Sequence, residues 1–282
     1  MRTLNSNIAE EMGMTNGLLK GKRGLVFGVA NNKSLAWACA QSCAAEGASL
    51  IFNFLGAAQE KRLNDLLQDL PEAKARNCDL GKDDEIEEFF KWVRSQWDTI
   101  DFVIHSVAYT DKECLKEPFV NTSRQQFVST MDISAFTLVA VAKHAAPLMP
   151  NGGSIISMSY YGAEKVVPNY NVMGVAKAAL EACNRYLAED LGPRGIRVNS
   201  ISAGPIRTLS SSAIPGMRNM LDYSQKFSPL RRNITGEDVA RSALFLLSDL
   251  GSGVTGETLH VDCGYHVMGM FREEAQQAGE SH

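Results

Sequence analysis

The chain has 282 residues, of which 45% are hydrophobic and 21% are charged, and its formal net charge is −4. These proportions are typical of a globular protein with one large domain or two small ones. The negative charge and a pI near 5.8 argue against nucleic acid as a main partner. No apolar run reaches transmembrane length, and the first residues lack the pattern of a secretory signal, so neither membrane insertion nor export is expected.

The six cysteines are scattered along the chain without any CxxC spacing, so neither a disulfide framework nor a metal site is expected. We interpret them as free thiols in a reducing, cytoplasmic setting. They are Cys39, Cys43, Cys78, Cys114, Cys183 and Cys263.

Strand-like and helix-like segments alternate from residue 24 to about residue 261. The predicted strands are 25–27, 49–54, 75–78, 102–104, 154–158 and 196–201, and the predicted helices are 34–46, 59–70, 82–97, 124–148, 170–191 and 237–248. Such alternation predicts an α/β fold with a single doubly wound, Rossmann-type parallel sheet flanked by helices on both faces. No linker interrupts the pattern, so one domain is expected over 17–270, with a weakly ordered extension at 1–16 and a tail at 271–282.

The loop after the first predicted strand, from Gly28 to Ala36, lies where a doubly wound fold binds the pyrophosphate of a dinucleotide. It retains only the first glycine of the G-x-G-x-x-G pattern, so a plain strand-to-helix turn fits it equally well. Ser34 is expected to cap the following helix under either interpretation.

The second predicted strand ends at residues 53–56. This end carries neither the acidic residue that binds a ribose 2′-hydroxyl nor a basic pair for a 2′-phosphate. Lys61 and Arg62 lie a turn or more into the next predicted helix. The absence of an adjacent basic pair favours NADH and leaves NADPH as an alternative donor.

Three further strand ends carry candidate site residues. Asp79 follows the third strand, as an acceptor for an adenine amino group or as an ordinary turn residue. His105 ends the fourth strand, where a structural role is favoured over a catalytic one, and small residues follow it. The Gly-Pro turn within 202–208 offers backbone groups for a nicotinamide carboxamide. Because such ends meet at one edge of a parallel sheet, together they predict a dinucleotide site.

Tyr170 and Lys177 are seven residues apart and follow the fifth predicted strand. In a helix, seven residues span two turns, so both side chains would project from one face. A tyrosine hydroxyl stabilises an oxyanion by a hydrogen bond, and a nearby ammonium is expected to lower the pKa of the phenol. Taken alone, the pair is more typical of an ordinary amphipathic stripe, but the strand-end residues favour the catalytic interpretation.

Two alternatives compete with this pair. Tyr161 and Lys165 have the Tyr-x3-Lys spacing of ketone and alcohol dehydrogenases, but Tyr161 directly follows the strand and Pro168 separates it from the helix. A dinucleotide-binding sensor without turnover would use the same fold. It needs no oxyanion donor, so the presence of Tyr170 with Lys177 argues against it.

Segments 159–164, 168–178 and 201–208 closely resemble bacterial enoyl-[acyl-carrier-protein] reductase of the short-chain dehydrogenase/reductase superfamily. Segment 260–265 resembles the final strand of that family, with Cys263 where the family usually has glycine. The resemblance extends over roughly 17–270. It implies NADH-dependent reduction of trans-2-enoyl thioesters on acyl carrier protein, in fatty-acid elongation, by a cytoplasmic homotetramer.

The resemblance also implies roles for individual residues. Tyr170 matches the catalytic tyrosine, Lys177 the cofactor-binding lysine and Tyr160 a second active-site tyrosine. The implied dinucleotide contacts are Gly28, Ser34, Leu35, Asp79, Leu80, Val107, Lys177, Ile206, Arg207, Thr208, Leu209 and Ser210. The implied substrate contacts are Thr110, Tyr160, Tyr170, Ile214 and Met217. Leu55 replaces a polar cofactor-contacting residue of some members.

Residues 208–232 lack strong periodicity, and in the resembled family this segment forms a flexible lid over the acyl chain. A pair of surface helices packed on the core is the alternative. Under the lid interpretation, an apolar tunnel would be lined by Ala213, Ile214, Met217 and Leu221.

Partner surfaces are also implied. Acyl carrier protein is strongly acidic, and Arg218 is retained where the family commonly shows three basic residues. Arg231 and Arg232 are further candidates, with solvated surface charge as the alternative. The predicted helices 124–148 and 170–191 are apolar on more than one face, which favours packing between subunits.

Overall fold

A computed structural model describes residues 17–208 and 214–269. Within them, seven parallel strands form one sheet in the order β3–β2–β1–β4–β5–β6–β7. The strands are β1 (Arg23–Phe27), β2 (Ser49–Phe54), β3 (Lys74–Asn77), β4 (Phe102–His105), β5 (Gly153–Ser159), β6 (Ile196–Ala203) and β7 (Thr258–Val261). The predicted doubly wound fold class is confirmed. The predicted extension at 1–16 and the tail at 271–282 lie outside the described residues.

The α-helices of the described residues are α1 (Leu35–Ala45), α2 (Gly56–Leu67), α3 (Asp83–Gln96), α4 (Arg124–Met131), α5 (Thr137–Ala145), α6 (Val172–Leu191), α7 (Met217–Phe227) and α8 (Gly236–Leu247). The predicted helix 124–148 is not continuous, because a π-helical turn (Asp132–Phe136) joins α4 to α5. Helix α7 lies in the segment that sequence periodicity did not define. None of the helices in the two described ranges is long and apolar enough to cross a bilayer.

Buried strand residues alternate between the two faces of the sheet. Leu25 and Phe27 of β1 pack in a core with α3, α5 and α6, whereas Val26 packs in a second core with α1, α2 and α8. Burying a side chain such as Phe27 contributes about 1.5–3 kcal/mol. Both faces are covered by helices, which explains the continuous apolar runs in the strands.

The strand order reverses between β1 and β4, which opens a crevice at the carboxyl edge of the sheet. Gly28 follows β1 at this point with φ +95°, and a Cβ there would lie 2.1 Å from the Ser106 carbonyl oxygen. The chain after β1 therefore directly contacts the chain after β4. A side chain at residue 28 would force these two segments apart.

The six cysteines are all free thiols, and five of them are buried. Burial raises the pKa of the Cys39 thiol to about 12. Across the described part of the chain, no cluster of three or more His, Cys, Asp or Glu side chains is arranged to hold a metal ion.

Candidate active site

A cavity of about 1230 Å³ lies along the carboxyl edge of the sheet. Its walls come from the segments that follow β1, β2, β3, β4 and β6, from the end of β5 and from the start of α6. Pockets for drug-sized ligands are usually about 300–1,000 Å³. This cavity therefore has room for a dinucleotide together with part of a second molecule.

Nearly all the predicted site residues lie in the cavity wall. They are Gly28, Ser34, Leu35, Asp79, Leu80, Val107, Thr110, Tyr160, Tyr170, Lys177, Ile206, Thr208, Ile214 and Met217. Arg207 is exposed and lies outside the wall, and Leu221 is buried within α7. Ala213, Leu209 and Ser210 lie outside the described residues.

Two tyrosines form one end of the cavity. Tyr160 and Tyr170 pack edge to face, with ring centroids 4.9 Å apart. Tyr170 is 7% exposed, and burial raises its pKa well above the ordinary value. Burial also raises the pKa of Tyr160, to about 12. Neither hydroxyl has a hydrogen-bond partner within 17–208 and 214–269, so both phenols are neutral donors available to a ligand.

Tyr170 lies in a turn before α6, and not within the helix as predicted. Asn169 and Asn171 on either side of it have positive φ values of 66° and 45°, which asparagine tolerates better than most residues. The Asn171 amide donates to the carbonyl oxygens of Cys114 and Glu117, each at 2.9 Å. This turn, and not helical spacing, positions the Tyr170 ring.

Lys177 lies on α6 and is buried. Its Nζ donates to the Met158 carbonyl oxygen at 2.7 Å. Burial lowers the pKa of Lys177 to about 8, against the opposing effect of the Glu181 carboxylate. The expectation that this ammonium lowers the pKa of Tyr170 is wrong, because burial of the phenol dominates and raises it.

Ser34 occupies the N-cap position of α1, but its side chain does not cap the helix as predicted. Its hydroxyl oxygen accepts hydrogen bonds from the backbone N–H groups of Ala30 and Asn31, at 3.0 and 3.1 Å. The hydroxyl thus closes the loop after β1. The positive end of the α1 dipole, with Ser34 and Leu35, remains in the cavity wall.

Asn53 joins three strand ends and was missed by sequence reasoning. Its Oδ1 accepts from the Gly28 N–H at 3.2 Å, and its Nδ2 donates to the Cys78 carbonyl oxygen at 3.1 Å. The side chain is buried among apolar neighbours. The only sequence signal was a polar residue within an otherwise apolar strand, beside a predicted dinucleotide loop.

Gln59 was also missed. Its Nε2 donates to the Val29 carbonyl oxygen at 2.9 Å, and its Oε1 accepts from the Leu55 N–H at 2.6 Å. The side chain therefore holds the loops after β1 and β2 together at the cavity wall. Leu55 itself is 54% exposed.

Asp79 forms a local turn, since its Oδ1 accepts from the Gly81 N–H at 3.0 Å. This contact matches the turn alternative, and an adenine contact stays a prediction. The loop after β4 is held by the π-helical turn, where the Ser134 hydroxyl bonds both the N–H and the carbonyl of Tyr109 at 2.9 Å. Thr110 shares a hydrogen bond of 2.8 Å with the Thr130 hydroxyl.

The alternatives to the Tyr170–Lys177 pair lie elsewhere. His105 is fully buried with its Nε2 2.9 Å from the Thr137 hydroxyl, and burial lowers its pKa to about 3. These contacts match the structural interpretation of His105. Tyr161 lies outside the cavity wall and packs edge to face on Tyr265, with centroids 5.8 Å apart.

The doubly wound sheet, the cavity at its carboxyl edge and the buried tyrosine–lysine pair define a dinucleotide-dependent oxidoreductase. A family model described as enoyl-(acyl carrier protein) reductase matches residues 28–266. Enoyl-[acyl-carrier-protein] reductase [NADH] 1 of Rhizobium meliloti (strain 1021) is 51% identical over 264 residues, covering 94% of this chain and 97% of the relative. The chain belongs to the enoyl-[acyl-carrier-protein] reductase family.

Solved structures agree with this assignment. The enoyl-(acyl-carrier-protein) reductase of Anaplasma phagocytophilum in complex with NAD has a TM-score of 0.88 and 50% identity, covering 92% of this chain and 99% of that one. The Bacillus cereus enoyl-acyl carrier protein reductase with NADP+ and indole naphthyridinone has a TM-score of 0.89 and 47% identity. That match covers 90% of this chain and 100% of the Bacillus chain.

Proposed function

We propose that this protein reduces trans-2-enoyl thioesters on acyl carrier protein to acyl thioesters, with NADH as the donor, in fatty-acid elongation. The observation that carries this proposal is the pair of neutral phenols, Tyr160 and Tyr170, beside the buried Lys177 in a dinucleotide-sized cavity. Membership of the family supports the reaction, and the names of the relatives specify NADH.

The cavity residues fit a nicotinamide dinucleotide. The Lys177 ammonium uses one of its three N–H donors on the Met158 carbonyl, so donors remain for ribose hydroxyls. The N-terminus of α1, with Ser34 and Leu35, would hold the pyrophosphate. When bound, the dinucleotide would supply a hydride to the β-carbon of the enoyl thioester, and the α-carbon of the resulting enolate would take a proton from solvent.

The residues of this chain act on the charge that develops at the thioester carbonyl oxygen. Tyr170 donates a hydrogen bond to that oxygen, and its raised pKa keeps the phenol protonated as a donor. Removing one such donor typically costs about 2.7–4 kcal/mol of transition-state stabilisation. Tyr160 packs on Tyr170 and restricts the orientation of its ring. Lys177 holds the ribose and maintains a positive field.

Residues 208–232 act as a lid over the acyl chain. Ile214 and Met217 lie in the cavity wall, which supports contact with an apolar substrate. The Asn169 amide donates to the Pro215 carbonyl oxygen at 3.1 Å. This bond connects the Tyr170 turn to the lid, so ordering of the lid and placement of Tyr170 are coupled.

The protein acts in the cytoplasm as a homotetramer that docks acyl carrier protein. Arg207 and Arg218 are exposed near the cavity and suit an acidic carrier. Phe136 and Tyr186 are exposed aromatic residues on the helices predicted to pack between subunits, and Tyr186 is 77% exposed in the isolated chain. Light scattering after size-exclusion chromatography tests the tetramer, and a monomeric mass would contradict it.

The test of function is NADH oxidation with a trans-2-enoyl thioester, with a 3-ketoacyl thioester as the control. We expect oxidation with the enoyl thioester alone. Oxidation with the ketoacyl thioester alone would favour a ketone reductase using Tyr161 and Lys165. NADH binding without NADH oxidation in the presence of either thioester would favour a dinucleotide-binding sensor.

A further inference from the structure

Glu181 is a buried acidic residue that the proposed chemistry does not use. It lies one helical turn beyond Lys177 on α6 and is 6% exposed. It is not part of the cavity wall. A buried carboxylate is costly unless it is hydrogen-bonded or close to a positive charge. The surroundings of Glu181 provide both.

The hydrogen bond comes from Ser159, whose hydroxyl donates to Glu181 Oε1 at 2.5 Å. Ser159 is the last residue of β5 and directly precedes Tyr160. The preceding residue, Met158, accepts the hydrogen bond from Lys177. Two side chains of α6 therefore hold consecutive residues at the strand end that carries an active-site tyrosine.

Two positively charged residues flank Glu181 on α6, Lys177 one turn before it and Arg185 one turn after it. Arg185 lowers the pKa of Glu181, and the Glu181 charge raises the pKa of Lys177. Burial has the larger effect on the Lys177 ammonium and lowers its pKa to about 8. Loss of the carboxylate would leave the buried ammonium without that support. Glu181 thus acts both on the end of β5 and on the protonation of Lys177.

Other titratable groups near this pair lie on several elements. His105 on β4 faces Lys177 and is neutral, because burial lowers its pKa to about 3. Burial raises the pKa of Glu181, and the Ser159 hydrogen bond opposes this. Smaller effects on the Glu181 pKa come from Glu164, His260 and Arg185. Among all these groups, Glu181 is the one whose charge raises the pKa of Lys177, against the larger effect of burial.

We propose that Glu181 is a positioning residue that holds the end of β5 through Ser159 and shapes the surroundings of the Lys177 side chain one turn away on α6. It touches neither substrate nor cofactor and acts through Lys177 and Ser159. The consequence for catalysis rests on the proposed function, since it is the charged Lys177 that holds the ribose. The effect on Lys177 itself is a property of the ligand-free protein.

The first experiment follows the protonation of Lys177 without any cofactor. Glu181→Gln keeps the size of the side chain and an acceptor for Ser159, but removes the charge. NMR of ¹³C-labelled lysine, with the Lys177 signal assigned from a Lys177→Arg sample, gives the pKa directly. We expect the Lys177 pKa to fall below its wild-type value in Glu181→Gln. In the matched variant Ser159→Ala, which keeps the carboxylate, we expect a much smaller change.

The second experiment measures kcat/KM for NADH against pH. Activity should fall as pH rises through the pKa of Lys177, because the neutral amine no longer supplies the positive charge. In Glu181→Gln this decline should begin at lower pH, giving about a five- to tenfold loss at pH 8.5 and a small change at pH 6.5. Glu181→Asp, which retains the charge on a shorter side chain, should recover part of the loss.

An unchanged Lys177 pKa in Glu181→Gln would overturn the proposal, whatever the activity of the variant. If Glu181→Gln does not fold, Glu181→Asp is used. Its shorter side chain moves the carboxylate away from Lys177, so the pKa of Lys177 should fall by a smaller amount. An unchanged pKa there would likewise overturn it. A wild-type protein without enoyl-dependent oxidation would instead contradict the proposed function, and the NMR titration would still decide the role of Glu181.

Discussion

The two ends of the cavity are built differently. At the end beside α6, the groups proposed for chemistry are buried and burial shifts their pKa values, as for Tyr170 and Lys177. At the end beside β2 and β3, Leu55 is largely exposed, and the loops are held by hydrogen bonds to backbone groups. Desolvation strengthens electrostatic effects at the first end, whereas hydrogen bonds set the shape of the second.

This contrast predicts different consequences for substitutions. Changes beside α6 should alter turnover and its pH dependence, because they change a buried donor or charge. Changes beside β2 and β3 should alter stability, cofactor affinity and donor preference, with turnover at saturation retained. A substitution beside β2 or β3 that lowers turnover at saturation, or one beside α6 that leaves turnover unchanged, would contradict this contrast.

The largest expected effect is that of Tyr170→Phe. The ring keeps its edge-to-face contact with Tyr160, but the hydroxyl that we assign to the developing oxyanion is lost. We expect kcat for an enoyl thioester to fall by about 10²–10³, with NADH affinity nearly unchanged. Tyr161→Phe, which changes a tyrosine outside the cavity wall, is the matched control. Full turnover by Tyr170→Phe would remove this residue from the mechanism.

Asn53→Ala tests the opposite end. The substitution leaves the Gly28 N–H and the Cys78 carbonyl without their buried partner. Unsatisfied buried groups should lower the free energy of unfolding by about 2–3 kcal/mol, with weaker NADH binding. Urea unfolding measures this, and the exposed Asn121→Ala is the control. Equal stabilities of Asn53→Ala and the control would mean that the strand ends do not depend on Asn53.

A third prediction concerns the pH dependence of stability that the buried His105 causes. Burial lowers the pKa of His105 to about 3, while an unfolded histidine titrates near about 6.5. Below that value the unfolded chain binds a proton that the native state does not, so stability falls as pH falls. This group alone should remove about 2 kcal/mol between pH 7 and pH 5.

Comparison with His105→Asn isolates this contribution, since the other titratable groups are common to both proteins. Urea unfolding at several pH values should show a smaller loss toward pH 5 in the variant, even if the variant is less stable at pH 7. Parallel pH dependences would show that His105 does not titrate as its burial requires.

The sequence was sufficient for the fold because its strongest signals are periodic. Apolar runs such as 49–54 coincide with a strand end to end, and the predicted helices 34–46 and 82–97 match α1 and α3 within one residue at each end. The π-helical turn at 132–136 has no periodic signature, so a continuous helix was predicted through it. Helix α2 begins at Gly56, three residues before the predicted start at residue 59.

Residues proposed to touch a ligand carry clearer sequence signals than the residues that support them. Tyr170 and Lys177 stand at a distinctive spacing, but Asn53, Gln59 and Glu181 act through contacts between distant segments. Ser34 lies at the predicted N-cap position, but its hydroxyl accepts a hydrogen bond from the Ala30 N–H and not from an N–H of the helix. The sequence at a helix start does not indicate which backbone N–H group will donate to the hydroxyl. Such contacts depend on the packed fold, which local pattern does not encode.

The smallest expected effect is a change of donor preference by Leu55→Arg. Leu55 is exposed at the cavity wall, and its backbone N–H bond to Gln59 does not depend on its side chain. A guanidinium here should bind the 2′-phosphate of NADPH by charge-assisted hydrogen bonds and raise the NADPH-to-NADH ratio of kcat/KM about tenfold. Leu55→Gln, polar but uncharged, is the control, and kcat should remain near wild type in both. If the ratio is unchanged, the 2′-phosphate lies away from residue 55, and Lys61 or Arg62 of α2 becomes the group to replace. A large fall in kcat would instead show that the two ends of the cavity are not separable in function.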